Sequence, residues 1–127
     1  MSGHQVLVAA VGLAAAVGLP AARAEVIDIE WSPQQRFERQ LTVAAGGFAE
    51  VCGKLAKGTA VSWSFAAGAA LDFNVHYHEG KAVHYPVKRP RVARAEGRLQ
   101  ARIDQDYCWM WSNTAPTATV LTVTLSR

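Results

Sequence analysis

The sequence has no G-x-S-x-G, no H-E-x-x-H and no P-loop. The motif-borne routes to serine hydrolysis, zinc proteolysis and nucleotide hydrolysis are therefore missing. Its serines stand in no nucleophile motif, and Asp104 and Asp106 share a turn, where carboxylates cap backbone more readily than they do acid–base work. No stretch carries a convincing helical period, which argues against helical and α/β folds. No internal repeat and no linker divides the 127 residues, so one compact domain is expected. Cysteine is scarce, with two residues, Cys52 and Cys108. These absences together describe a small, non-catalytic, all-β protein.

Half of the residues are hydrophobic, enough for one core, but some of them serve another purpose. Residues 6–19 read VLVAAVGLAAAVGL, without charge, and Ala22-Arg23-Ala24 follows as a small-x-small site. This pattern predicts a secretory signal peptide over residues 1–24 and a mature domain over 25–127. Its n-region, MSGHQ, lacks Lys and Arg. The rival is an uncleaved anchor, but the run is short for a full span. Cleavage takes Arg23 from the 13 basic residues, leaving 12 against 10 acidic residues and a net charge of about +2. That charge does not imply nucleic acid as a partner. No second apolar run reaches spanning length, so no transmembrane segment is expected in the mature chain. The periplasm or the exterior is the expected location. An even cysteine count in an oxidising compartment favours one bridge, Cys52–Cys108, contributing roughly 4 kcal/mol through chain entropy.

Period-two alternation dominates the mature chain. It runs through VIDIEW (Val26–Trp31), RFERQLTV (Arg36–Val43), Phe48–Leu55, AVSWSF (Ala60–Phe65), LDFNVHY (Leu71–Tyr77), Arg98–Ile103, YCWMW (Tyr107–Trp111) and a threonine-rich strand over Thr117–Leu125. Glycine pairs and prolines punctuate these runs. About eight short strands are expected, forming an antiparallel, jelly-roll-like β-sandwich. Pro86 and Pro90 lack N–H donors, so the segment between them is expected as a basic loop and not a central strand.

Three features carry candidate chemistry. The stretch NVHYHEGKAVHYPV holds His76, His78 and His84. His76 and His78 leave the same face of a strand, about 7 Å apart, and His84 could fold back across the Glu79-Gly80 turn. Zinc, copper or nickel would suit such imidazoles. A reduced Cys108 with Met110 would add soft sulfurs. Against a metal, His76 and His78 continue the polar row of Asp72 and Asn74, where solvent-facing residues belong. The second feature is the basic segment KRPRVARAEGR; six cations from Lys88 to Arg102 face one acid, Glu96. Lys88, Arg89, Arg91 and Arg94 could meet an anionic partner, or form a solvated loop. The third is the row Tyr107, Trp109 and Trp111, a candidate binding patch if Cys108 and Met110 face the core, and packing if they do not.

The run KGTAVSWSFAAGAALDFNVHYHEGKAVHY, followed later by DYCWMWSN, resembles the GOLD (Golgi dynamics) domain. Gly58, Trp63 and Phe65 match its glycine and aromatic pair. Leu71–Val75 match its "ldfsv" strand, and Tyr107, Trp111, Ser112 and Asn113 match its tyrosine and aromatic–polar–asparagine motif. The resemblance covers roughly residues 38–126. It implies a β-sandwich interaction module without catalytic activity or cofactor. The partner would be a protein or a cell-envelope component. The family's cargo receptors place the later cysteine where Met110 stands here, so a Cys52–Cys108 bridge would have a shifted register. The alternative function is periplasmic copper or zinc binding through the histidine hairpin. Cleavage at the expected site leaves a mature N-terminus at Glu25, which intact-mass measurement of the exported protein checks.

Overall fold

The structure, a computed structural model, describes residues 23–127 together with residues 3, 8–10 and 12. The leader expected over residues 1–24 thus lies largely outside the described residues. Seven strands follow one another: β1 (Ala24–Asp28), β2 (Arg36–Val43), β3 (Phe48–Leu55), β4 (Ala60–Glu79), β5 (Ala82–Gln100), β6 (Gln105–Ser112) and β7 (Thr119–Ser126). The expected boundary after Ala24 falls one residue inside β1. No helix among the described residues is long and apolar enough to cross a membrane.

The protein is all-β, as expected, but two strands are far longer than the runs that signalled them. The AVSWSF and LDFNVHY runs belong to one strand, β4. Their join, Ala67 to Ala70, is a register shift against β5, between the pairs Ala66↔Arg94 and Leu71↔Val92. Extra residues on one strand bend it, and this bend lets β4 serve two sheets. Its first half pairs with β7 at Ser62–Ala67. Its second half pairs with β6 at Asp72–His76. β5 follows β4 on the other edge along its length. One layer is therefore β1-β3-β6-β4-β5 and the other β2-β7-β4-β5.

The basic segment between Pro86 and Pro90 is strand, correcting the loop expected there. Both prolines sit at register shifts, between Val75↔Val87 and Tyr77↔His84 and between Leu71↔Val92 and Phe73↔Arg89. A residue without an N–H is tolerated at such a bulge on an edge strand, where no ladder bond is lost. A second difference is β1, which pairs parallel with β3. Parallel neighbours need a crossover, and β2, in the opposite layer, provides it.

The core lies between the layers. Phe37, Leu41 and Val43 of β2 and Leu121, Val123 and Leu125 of β7 face Ala49, Val51 and Leu55 of β3 and Tyr107, Trp109 and Trp111 of β6. Aromatic rings bridge the two halves of β4. Trp63 lies 4.9 Å and Phe65 4.8 Å from Phe73, and Phe65 and Phe73 each lie 5.5 Å from Trp111. Asn113, which belongs to the GOLD-like motif, is buried and structural. Its Nδ2 donates to the carbonyls of Val43 and Thr117, and its Oδ1 accepts from Ala115 N–H.

Gly97 stands opposite Trp63. A Cβ placed there would come within 2.6 Å of Trp63 Cζ2 and 3.0 Å of Cε2. The indole occupies the space a side chain would need, and it is itself packed against Phe73. Gly97→Val should lower stability by about 1–3 kcal/mol through overpacking, although the position is exposed. Urea unfolding followed by tryptophan fluorescence reads this directly.

Candidate functional site

Alternation assigns each side chain of β6 to a face. Tyr107, Trp109 and Trp111 are 1%, 0% and 0% exposed, so the aromatic row is core. It offers no surface, and the binding patch suggested for it is overturned. Large rings gain most from leaving water, and they take Cys108 and Met110 to the opposite, outer face. The same rule puts Glu50 and Cys52 of β3, and Asn74, His76 and His78 of β4, on that outer face.

Register then decides who stands beside whom. Cys108 pairs with Cys52 on one side and His76 on the other. Met110 pairs with Glu50 and Asn74. Two rows therefore cross the outer face, one of His76, Cys108 and Cys52, the next of Asn74, Met110 and Glu50. Cys52 and Cys108 form the expected disulfide between directly opposed positions, with Cα atoms 4.1 Å apart.

His76 is 5% exposed, unlike the solvent-facing residue expected in this row. Tyr85 of β5 approaches its ring at 6.0 Å, and Lys88 lies 4.5 Å over Tyr85. His76 Nδ1 lies 2.8 Å from Asn74 Oδ1. That oxygen can only accept, so Nδ1 carries the proton and donates. Nε2, the other ring nitrogen, lies 3.7 Å from Glu50 Oε2. His78 stands edge-on to His76 at 5.3 Å.

Burial pushes the His76 imidazole below its ordinary value, and the charge of His78 adds to this. Burial also raises the Glu50 carboxyl, with His78 pulling it back down. The proximity of Glu50 to His76 alone would move both the other way. Desolvation dominates, because the charged forms lose water on a covered face. The two groups thus stand against each other on a covered face, each disfavoured in its charged form. Glu50, His76 and Cys108 each offer one ligand atom, and these lie within 4.8 Å of one another.

The structure splits the expected histidine set. His84 pairs with Tyr77 and stacks on it at 5.0 Å. Tyr77 faces the core side, against Tyr107 at 5.2 Å. His84 therefore leaves the sheet on the side opposite to His76. The bulge at Tyr85-Pro86 is the cause, since it brings Tyr85, and not His84, beside His76. Glu79 sits in the terminal pair of the hairpin with Ala82. Glu50 was not among the expected residues. Its signal was its place two residues before Cys52, hence on the same face of the same strand.

The cationic residues line the outer edge of the molecule. Lys88, Arg89, Arg91, Arg94 and Arg98 are all exposed on β5. Among the described residues none of their charged side-chain nitrogens has a carboxylate oxygen within 4.0 Å. Asp72 accepts the backbone N–H of Arg91 at 3.0 Å, at a position where Arg91 takes a φ of 52°.

No protein-family model matches the chain, and no curated protein matches it at a significant level. Solved structures do. The periplasmic inhibitor of g-type lysozyme from Aeromonas hydrophila, PliG, superposes with a TM-score of 0.59 at 10% identity, covering 84% of this chain and 98% of that one. The Salmonella Typhimurium PliG gives 0.56 at 12% identity, over 80% and 97%. The pre-peptidase C-terminal domain of a Bacillus anthracis collagenase gives 0.53 at 12% identity, over 84% and 99%. What they share is the fold. The sandwich implied by the GOLD resemblance is present, carried also by domains of other kinds.

The acid response of this centre has a definite sign. Above its ordinary 4.5 and up to its raised value, Glu50 holds more proton folded than unfolded, so its contribution to stability falls as pH rises through that window. Below 6.5, His76 holds less proton folded than unfolded, so its contribution falls as pH drops. Glu50→Gln should therefore gain on the native protein as pH rises, and His76→Gln should flatten the loss below pH 6.5. Urea midpoints across the acid range measure both.

Proposed function

We propose that the chain is an exported, non-catalytic binding module that holds a protein partner at the cationic edge formed by β5. The carrying observation is this edge: a 19-residue strand paired with β4 alone among the described residues, displaying five cations whose side-chain nitrogens meet no carboxylate within 4.0 Å among those residues. The disulfide and the leader pattern support an exported protein. The fold it shares with periplasmic lysozyme inhibitors, and the interaction role implied by the GOLD resemblance, support a protein as partner.

The chemistry of the edge says how the partner is held. A bare strand edge normally invites another strand. Here Pro86 and Pro90 remove two N–H donors, the two bulges break the register, and Arg91 is twisted out of extended geometry. These features block strand addition. Recognition must then come from side chains, and guanidinium groups present planar donor pairs suited to carboxylates. An acidic protein surface is the matching partner.

Secreted lysozymes, g-type included, are the first proteins to assay. Calorimetry should show stoichiometric binding to one of them, weakened at least ten-fold by the triple reversal Arg89→Glu, Arg91→Glu, Arg94→Glu, and falling steeply with salt. Tight binding indifferent to the reversal would move the interface elsewhere. Absence of binding across the panel, with retention on an anionic cell-wall polymer, would replace the protein partner.

A further inference from the structure

The outer face holds a second feature, independent of the cationic edge. We propose that Glu50, His76 and Cys108 form a redox-gated site for a zinc-class divalent cation, closed while Cys108 is bridged to Cys52 and opened when that bridge is reduced. The ligand set differs from the histidine hairpin of the sequence analysis: His84 is on the other face, and Glu50 and Cys108 take part.

The geometry carries the proposal. Atoms bound to a tetrahedral zinc stand roughly 3.3–3.8 Å apart, given bond lengths of about 2.0 Å to N and O and 2.3 Å to S. His76 Nε2 and Glu50 Oε2 are already 3.7 Å apart. The sulfur of Cys108 completes a set in which every ligand atom lies within 4.8 Å of the others, close enough for side-chain rotation to draw them in. Asn74 holds the Nδ1–H of His76. A metal-bound imidazole needs this outer contact, because it turns Nε2 toward the ion. With Nδ1 engaged by Asn74, a cation seated between Nε2 and the Glu50 carboxylate would bind both. One nitrogen, one oxygen and one thiolate, leaving a fourth position for a small ligand such as water, is a zinc-like set.

The disulfide is the gate. A bridged sulfur has no thiolate charge and is a poor ligand. Reduction by a dithiol breaks the S–S bond, yielding the Cys52 and Cys108 thiols while the dithiol becomes a disulfide. Metal binding then displaces one proton from the Cys108 thiol. Cys52 is half-buried, and a cleft lined by Asp28, Gly53, Lys54 and Asp106 opens beside it, so a reductant can reach it. The site survives reduction because its positions are set by backbone ladders. β6 stays paired to β3 from Phe48↔Ser112 to Leu55↔Gln105 and to β4 from Asp72↔Ser112 to His76↔Cys108.

Cobalt(II) is the probe, since its thiolate charge-transfer and tetrahedral d–d bands report the ligands. The oxidised protein should show neither. The reduced protein should bind one equivalent with both, and Zn²⁺ should displace it. Cys52→Ser frees Cys108 without reductant and should bind like the reduced protein. Cys108→Ser, equally free of the bridge, should not bind. Asn74→Ala should weaken binding about 10–100-fold, Glu50→Gln and His76→Gln at least as much, and His84→Gln should have no effect. Near-UV dichroism of the buried tryptophans follows folding in each case. Equal binding by oxidised and reduced protein, or binding by Cys108→Ser matching that by Cys52→Ser, would overturn the proposal. So would loss of the native tryptophan signal on reduction without recovery in metal.

Discussion

The double pairing of β6, with β3 on one side and β4 on the other, settles both faces of its layer at once. A slip of one residue along either ladder would exchange the faces. It would place tryptophan in water and cysteine, methionine and glutamate in the core. The buried side of β6 carries two indoles and a phenol. At about 25 cal/mol per Å² over 150–250 Å² each, these rings contribute on the order of 4–6 kcal/mol apiece. A one-residue slip would expose all three, so the ladders of β6 to β3 and β4 are pinned in register.

That burial carries a cost elsewhere. The Nε1 atoms of Trp63, Trp109 and Trp111 are buried and find no hydrogen-bond partner among the described residues. An unmet donor costs roughly 1–3 kcal/mol, less than the ring gains by leaving water. The core thus tolerates three unmet donors for the sake of its rings. The outer face is the by-product: once the aromatics are inside, the sulfurs, Asn74, His76 and Glu50 have only one side left, and the crossed rows bring them together. The chemistry of the molecule is collected there by the packing of the opposite face.

The β4–β5 hairpin plays the complementary part. Its bend at Ala67–Ala70 lets one strand serve both layers, and its bulges absorb two prolines and a positive-φ arginine. The result is an edge that is long but chemically guarded, in which cations take the place of a continuing ladder. The same bulge at Tyr85-Pro86 that admits a proline also brings Tyr85 over His76, covering an imidazole that would otherwise meet solvent. Edge protection and the environment of the histidine are thus consequences of one irregularity.

Much of this was legible in the residues. β2 and β3 begin and end where their alternation does, and the all-β class and the cysteine pairing follow from period two and an even cysteine count. These properties are local or purely compositional. The faces of Tyr107–Trp111 were left open, because alternation shows that two faces differ without saying which is inside. The basic stretch read as a loop, because the tolerance of a bulged edge for proline depends on having one neighbour strand and not two. The role of Glu50 and the separation of His84 from His76 were beyond reach, since both depend on non-local register. The sequence by itself determined which side chains share a strand face. Only the tertiary structure decided which faces meet, because cross-strand neighbours are selected by the burial of the whole aromatic core.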